Sequence, residues 1–432
     1  MVRFLPESEY AARSGHNLRL LPLRFERLER DQYLATNLVG DALFLSRTEL
    51  ARIASLDVTP GDGLYERAFS KLFIAASGQQ AQLQVLALRL RSRMAFLRET
   101  TPLHIFVVTL RCEHSCPYCQ VSRRSVDRER YDMSRETANR ALDIAFSARS
   151  HAIKVEFQGG EPLLNFDLIQ YIVIEGERRS AVTGKAVTFV VTSNLALLTD
   201  DILAFCKAHS ILISTSLDGP ADLHNRNRPR PGGNSHALAE AGIRRAQEVL
   251  GQDRVGALMT TTEASLDRIL EIVDEYVRLG LDGIFLRPLS PYGFAIKTKQ
   301  FQKYGVKRWL EFYERGLRYI IGLNKRGTHF PEFYATLLLQ RILTDRPISY
   351  VDLRSPAGIG LGALVYNYDG KVFASDEGRM LAEMGDRTFE IGSVKSDDYR
   401  TLLLSEKLIS LVSDSLTQCA PQCASCAYEP HC

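Results

Sequence analysis

Long apolar runs are missing from this 432-residue chain, and without a stretch of about eighteen apolar residues a membrane span is not expected. An excess of one charge is missing too. Lysine and arginine number 54 against 51 aspartates and glutamates, with no block of like charge, so neither nucleic acid nor a membrane surface is indicated as a partner. The opening Met1-Val-Arg-Phe-Leu-Pro-Glu-Ser-Glu carries acidic residues where a secretory signal needs an apolar core, and the expected location is the cytoplasm. Cysteine is scarce, eight in all, and its placement argues against a secreted disulfide framework: seven lie in two tight groups, at 112–119 and 419–432. Such clustering in a chain of this size suggests metal. Cys206, in a helical pattern, reads as buried packing with no further role.

What is present begins with Cys112-Glu-His-Ser-Cys116-Pro-Tyr-Cys119. Three thiolates at this spacing can close on one four-iron four-sulfur cluster and leave the fourth iron open, because such clusters are held by soft sulfur ligands. An open iron can bind a substrate or cofactor. The alternatives are a zinc knuckle with a distant fourth ligand, or plain thiols in a loop; zinc sites more often use CxxC pairs.

Length implies two or three domains. From 104 to 288 short apolar runs alternate with helical patterns, which signals strand-helix units and a parallel sheet. The expected strands are 104–110, 153–157, 187–192, 211–216, 255–260 and 283–286, six in all, as in a partial barrel. Ser134 is the expected N-cap of a helix whose Ala141, Leu142, Ala145 and Phe146 form one stripe, and a second helical pattern over 264–279 stops at Gly280. The expected divisions are an N-terminal domain at 1–100, the barrel at 101–300, a helical connector at 301–349 and a compact module at 350–432. In the first, short strands over 18–28 and 33–45 precede a helix capped by Ser46. That order suits either a winged-helix-like domain that takes an extended peptide as an added strand, or a structural extension of the barrel.

In parallel β/α folds ligands bind at the carboxyl ends of strands, so the residues there carry the chemistry. The second strand runs into Phe157-Gln-Gly159-Gly160-Glu161-Pro162, where glycines permit close backbone approach and a carboxylate can accept bonds from an ammonium group. The third ends at Thr192-Ser-Asn194. The fourth ends at Ser216-Leu-Asp218-Gly-Pro220, followed by Arg228, whose fork can pair with a carboxylate. Asp218 is a candidate catalytic residue, against the commoner reading of an Asp-Gly turn.

Together these motifs resemble the radical S-adenosylmethionine (SAM) peptide maturases, over roughly 104–432. The resemblance implies a partial (β/α)6 radical SAM barrel of α/β class with a small N-terminal α+β peptide-recognition-like domain and a C-terminal iron-sulfur module. It implies that Cys112, Cys116 and Cys119 hold a 4Fe-4S cluster whose open iron chelates SAM. Tyr118, Gly159, Gly160, Glu161, Asn194, Ser216 and Arg228 are the implied SAM contacts. Cys419, Cys423, Cys426 and Cys432 resemble the closing part of a SPASM or shortened twitch module and by that resemblance would hold one auxiliary iron-sulfur cluster of the 4Fe-4S type; a tetrahedral zinc site is the rival. Ser355 and Ser375 stand where a full SPASM module carries cysteines, so one auxiliary cluster is expected rather than two. The phrases His104-Ile-Phe-Val-Val-Thr and Ser355-Pro-Ala-Gly are most similar to the maturases of His-Xaa-Ser repeat peptide systems. The implied partners are a ribosomally made precursor peptide and an electron donor such as flavodoxin or ferredoxin. The alternatives are formylglycine formation of the sulfatase-maturase kind and a non-catalytic, cluster-containing peptide-binding or redox-sensing protein.

Overall fold

The computed structural model describes residues 18–77, 80–344, 348 and 350–432. It divides into two units, one of residues up to 98 with 337–358 and 410–432, the other of 99–336 with 359–409. The first seventeen residues of the expected N-terminal domain fall outside the described part.

In the first unit, β1 (Leu18–Leu20) pairs antiparallel with β5 (Ile74–Ala76), while β2 (Leu23–Glu29), β3 (Gln32–Asn37) and β4 (Ala42–Leu45) form an antiparallel meander. The expected helix follows as Arg47–Ala54. Ser46 accepts from the Glu49 amide and the Glu49 side chain returns to the Ser46 amide, so two of the helix's orphan donors are satisfied. Ala35, Leu43, Leu45, Ile53, Val58, Ala68, Phe73 and Ile74 close this unit's core.

The second unit is an eight-stranded sheet in the order β10-β9-β8-β7-β6-β11-β12-β13. The parallel run comprises β6 (Leu103–Thr109), β7 (Ala152–Gly159), β8 (Ala186–Ser193), β9 (Leu212–Ser216) and β10 (Val255–Leu258). All of β6 except its first residue is buried, as expected of a strand covered on both faces. Phe106, Phe157 and Phe189 line up across β6, β7 and β8 in one aromatic row. Ser134 caps Arg135–Phe146 as expected, and Ala141, Leu142 and Ala145 are buried, whereas Phe146 is half-buried. The expected helix over 264–279 is shorter, Ile269–Arg278 behind a turn at Glu263–Ser265, and Gly280 stops it with a φ of +66°.

Two expectations are corrected. The sixth strand at 283–286 is reduced to one bridge between Ile284 and Glu332, because the chain runs on through Pro288 and Pro291 rather than returning to β10. The stretch 350–432 is divided between the units: β11 (Ala363–Tyr366) pairs in parallel with β6 and carries the hairpin β12 (Lys371–Phe373) and β13 (Glu390–Ser393) into the barrel's sheet, while 410–432 belongs to the first unit. Pairing between residues so far apart in sequence has no local signature.

The aromatic row makes Phe106 the test of this core. Phe106→Ala is expected to cost about 3–5 kcal/mol, seen as a lower urea midpoint by near-UV circular dichroism. An unshifted midpoint would mean that the row is not a principal support.

Candidate active site

The cysteine loop leaves the carboxyl end of β6 and is held from several directions. Thr109 Oγ1 donates to Asp132 Oδ1 at 2.6 Å, and Arg111 grips the same carboxylate through Nε and Nη2, both at 2.7 Å. Beyond them, the Ser115 amide donates to Pro229 O, the Phe294 amide to Cys119 O and Thr298 Oγ1 to Pro117 O. Arg379, almost wholly buried, donates from Nη1 to Val121 O.

Gly159 and Gly160 meet backbone rather than open space. A Cβ on Gly159 would lie 2.1 Å from Thr109 O, and one on Gly160 2.2 Å from Arg111 O. The Gly160 and Glu161 amides donate to those same carbonyls. The glycines therefore let the end of β7 lie against the start of the cysteine loop, and the approach inferred toward a ligand is here an approach to β6.

This contact carries Glu161 to the strand ends. Its buried carboxylate accepts from Leu163 N at 3.0 Å, Ser193 Oγ at 2.7 Å and Asn194 N at 2.8 Å. Burial, and next the Glu113 carboxylate, push its pKa up to about 7. Asn194 Nδ2 donates to Glu113 Oε1 at 2.8 Å, so one asparagine spans both glutamates. Ser216 closes β9, half-buried, opposite Leu258 of β10.

Asp218, the candidate catalytic residue, is enclosed. Its Oδ2 accepts from Tyr118 Oη at 2.6 Å and Arg228 Nε at 3.1 Å, and its Oδ1 from Thr260 N at 3.2 Å. A fully buried carboxylate so occupied is a positioning group, not one open to a substrate proton. Arg228 in turn lies over the Tyr118 ring, 5.4 Å from its centroid. Tyr118, an implied SAM contact, is thus fixed by its hydroxyl and ring.

Burial pushes the Cys112 thiol far up, with the Glu113 and Glu161 carboxylates adding to it, and pushes Cys116 up to about 12. Such thiols stay protonated unless a metal takes them as thiolates. Cys112 Sγ, a Glu113 oxygen and a His114 nitrogen lie within 4.8 Å of one another. A similar grouping of His236, Glu240 and Glu275 is spoken for by Arg244 and Arg278, which pair with its carboxylates.

The second cysteine group lies in the first unit. Burial pushes the Cys432 thiol up, with Cys426 and Cys423 adding to it. Cys419 ends the short turn Thr417–Cys419. The loop is tied down through its carbonyls: Arg24 Nε donates to Ala424 O, Thr36 Oγ1 to Ala427 O, Arg93 Nη1 to Pro430 O and Arg341 Nη2 to Cys432 O. Buried Glu429 receives Arg24 at 3.0 Å and Thr417 at 2.7 Å. Ser355 is engaged otherwise than as a ligand, donating to Gln418 Oε1 and accepting from Thr417 N. Ser375 caps the helix Asp376–Ala382.

Residues 106–287 match the family model described as the Radical SAM superfamily. An uncharacterized protein of Methanocaldococcus jannaschii is 28% identical over 189 residues, which cover 43% of this chain and 62% of that protein. Among solved structures, native anSMEcpe with bound AdoMet (SAM) and the Cp18Cys peptide superposes with a TM-score of 0.60 at 18% identity, over 76% of this chain and 87% of that one. Streptococcus suis SuiB bound to its precursor peptide SuiA gives 0.55 at 15% identity, over 95% and 93%. These likenesses show the radical SAM α/β fold with its mostly parallel central sheet. The superfamily implies a 4Fe-4S cluster and SAM, and the donor set fits them: three free thiols share one loop, and beside them Glu113 Oε2 is buried without a hydrogen-bond partner.

Several supporting residues were missed by the sequence reading. Glu113 and His114 occupy motif positions treated as free, though a carboxylate next to a cluster cysteine was a visible signal. Gly293 gave none. Its φ is +56°, and a Cβ there would stand 2.6 Å from Gln120 O and 2.7 Å from Cys119 O. Gly293→Ala is accordingly expected to lower the iron retained after reconstitution by at least half, whereas Gly305→Ala, with nothing within 4 Å, leaves it unchanged. Equal iron content in the two variants would remove Gly293 as a support of the loop.

Proposed function

We propose that this protein is a radical SAM enzyme that modifies a ribosomally synthesised precursor peptide. The observation that carries this reading is the convergence, at adjoining strand ends, of three thiols on one loop with a carboxylate and amide shell of Glu161, Glu113 and Asn194. Bound by Cys112, Cys116 and Cys119, a 4Fe-4S cluster would supply the electron for reductive cleavage of SAM to methionine and a 5'-deoxyadenosyl radical, the species that would take a hydrogen atom from the peptide. The chain's own residues orient and enclose: Cys112, Cys116 and Cys119 hold the cluster, Glu161 and Asn194 receive the methionine half of SAM, and Asp218 keeps Tyr118 and Arg228 in place. Gly159 and Gly160 set the spacing between the two loops, and Ser216 lies at the neighbouring strand end.

Three features support a peptide as substrate. Solved structures of similar fold carry peptides, Cp18Cys in anSMEcpe and SuiA in SuiB. The N-terminal meander offers an outer strand edge to which an extended leader can add by main-chain pairing. Cys419, Cys423, Cys426 and Cys432 lie on a loop anchored to that meander's side chains and would hold one auxiliary iron-sulfur cluster. The substrate reading is sharpened by the resemblance to His-Xaa-Ser repeat maturases, with a flavodoxin or ferredoxin as electron donor. Among the described residues no helix is long and apolar enough to cross a membrane.

Reduced, reconstituted protein should convert SAM to 5'-deoxyadenosine, and Cys112→Ala with Cys116→Ala should abolish it. Absence of 5'-deoxyadenosine above background, with or without a His-Xaa-Ser peptide, would refute the enzymatic reading. Independently, Cys423→Ala with Cys426→Ala should remove about four iron atoms per chain, the content of one 4Fe-4S cluster; zinc in their place would overturn the auxiliary assignment.

A further inference from the structure

We infer that Glu113 is a second carboxylate acceptor for the α-ammonium group of SAM, held in place by a buried hydrogen-bonded chain through His114, Ser235 and His224. The inference rests on the SAM-binding reading above and extends it to residues that the motif leaves unassigned.

The chain can be followed atom by atom. The Asp218 amide donates to His224 Nδ1 at 3.3 Å, which makes that nitrogen an acceptor and leaves the ring proton on Nε2. His224 Nε2 faces Ser235 Oγ at 3.1 Å and so donates to it. Ser235 Oγ lies 2.8 Å from His114 Nε2. His114 Nδ1 faces Glu113 Oε1 at 2.9 Å and Asn194 Nδ2 at 3.1 Å. The Asp218 backbone amide fixes the roles at the His224 end, and His114 joins Ser235 to the Glu113 and Asn194 pair. Both imidazoles and Ser235 are buried, so the arrangement is rigid rather than solvated.

The chain ends on only one oxygen of Glu113. Oε1 takes His114 Nδ1 and Asn194 Nδ2, while Oε2 is buried and has no hydrogen-bond partner. An unsatisfied buried carboxylate oxygen is costly, and it marks a place for a donor from outside the chain. Glu161 Oε2 sits on the other side of Asn194, accepting that residue's amide at 2.8 Å. Two carboxylates bridged by one asparagine repel each other, and a cation with several N–H groups between them relieves both. The α-ammonium of SAM has that charge and that number of donors. Arg228, the nearby guanidinium, is already committed to Asp218. Ser235 and His114 are positioning residues: they fix the rotamer of Glu113 without reaching the ligand.

Anaerobic equilibrium dialysis of SAM against the full-length, iron-loaded protein tests this, with EPR of the reduced cluster recorded alongside. Glu113→Gln should keep its iron and its EPR spectrum without SAM while its Kd for SAM rises about tenfold, as loss of a charge-assisted bond predicts. Ser235→Ala should raise the Kd about threefold with the cysteine loop untouched, and Ser235→Thr, which restores the hydroxyl, should bring it back. Wild-type SAM affinity in Glu113→Gln would overturn the inference. So would an altered EPR spectrum in the absence of SAM, which would make Glu113 an iron ligand. If Glu113→Gln loses its iron, the Ser235 pair decides: equal affinity of the Ala and Thr variants is then the refuting result. Failure of the wild-type protein to bind SAM would instead refute the reading on which the inference stands.

Discussion

The approach of β7 to the end of β6 is the constraint on which the rest of the site depends. Thr109 O and Arg111 O accept the Gly160 and Glu161 amides, and neither contact survives a side chain at 159 or 160. Because those two carbonyls belong to the residues that launch the cysteine loop, the spacing between Cys112 and Glu161 is set by main-chain geometry, which is stiffer than any side-chain contact. Asn194 and Ser193 then lock Glu161 from the next strand, and Asp218 locks Tyr118 and Arg228 from the one after. Successive strand ends therefore each contribute one fixed polar group to a common rim, as parallel β/α architecture permits.

Charge explains why this rim is so heavily tied. Protonated, buried thiols and a carboxylate pushed up to about 7 describe a site whose groups are poised against their usual ionisation. A cluster that takes thiolates and a ligand that brings an ammonium reverse both effects, so the same desolvation that is unfavourable in the bare protein strengthens the electrostatics once they are in place. Preorganisation costs stability locally.

Much of this was legible in the residues. The five parallel strands, the cap at Ser134 and the N-terminal meander followed by the Ser46 cap all announce themselves locally, through apolar runs and capping residues. The cysteine motif and the Gly159-Gly160-Glu161 turn were legible for the same reason: each is a short pattern with one physical interpretation. What could not be read was set by long-range pairing. The joining of β11 to β6, the division of 350–432 between two units and the seating of Gly293 on Cys119 depend on partners far away in sequence. The surroundings of Asp218 were not legible, because a carboxylate after a strand looks alike whether its oxygens are open or taken, and only the positions of Tyr118, Arg228 and Thr260 decide which.

The cysteine groups illustrate how two loops of like composition come to differ in kind. The first is stabilised by groups that are themselves strand ends of the barrel, so its geometry follows the sheet. The second is held by side chains rather than by main chain: its carbonyls are bound by Arg24 and Thr36 of the meander and by Arg93 and Arg341, and its one buried acid, Glu429, is neutralised by Arg24. A loop fastened by long side chains is more adaptable than one fastened by backbone, because each anchor has rotamers to spend before the main chain must move. Rigid geometry suits a centre that must hold a cofactor at a fixed distance from the atom to be attacked. Adaptable geometry suffices for a centre that only exchanges electrons, where burial and nearby charge tune the potential more than an ångström of displacement does. The contrast supports the reading proposed above, in which the first group would serve the bond-breaking step and the second would only exchange electrons.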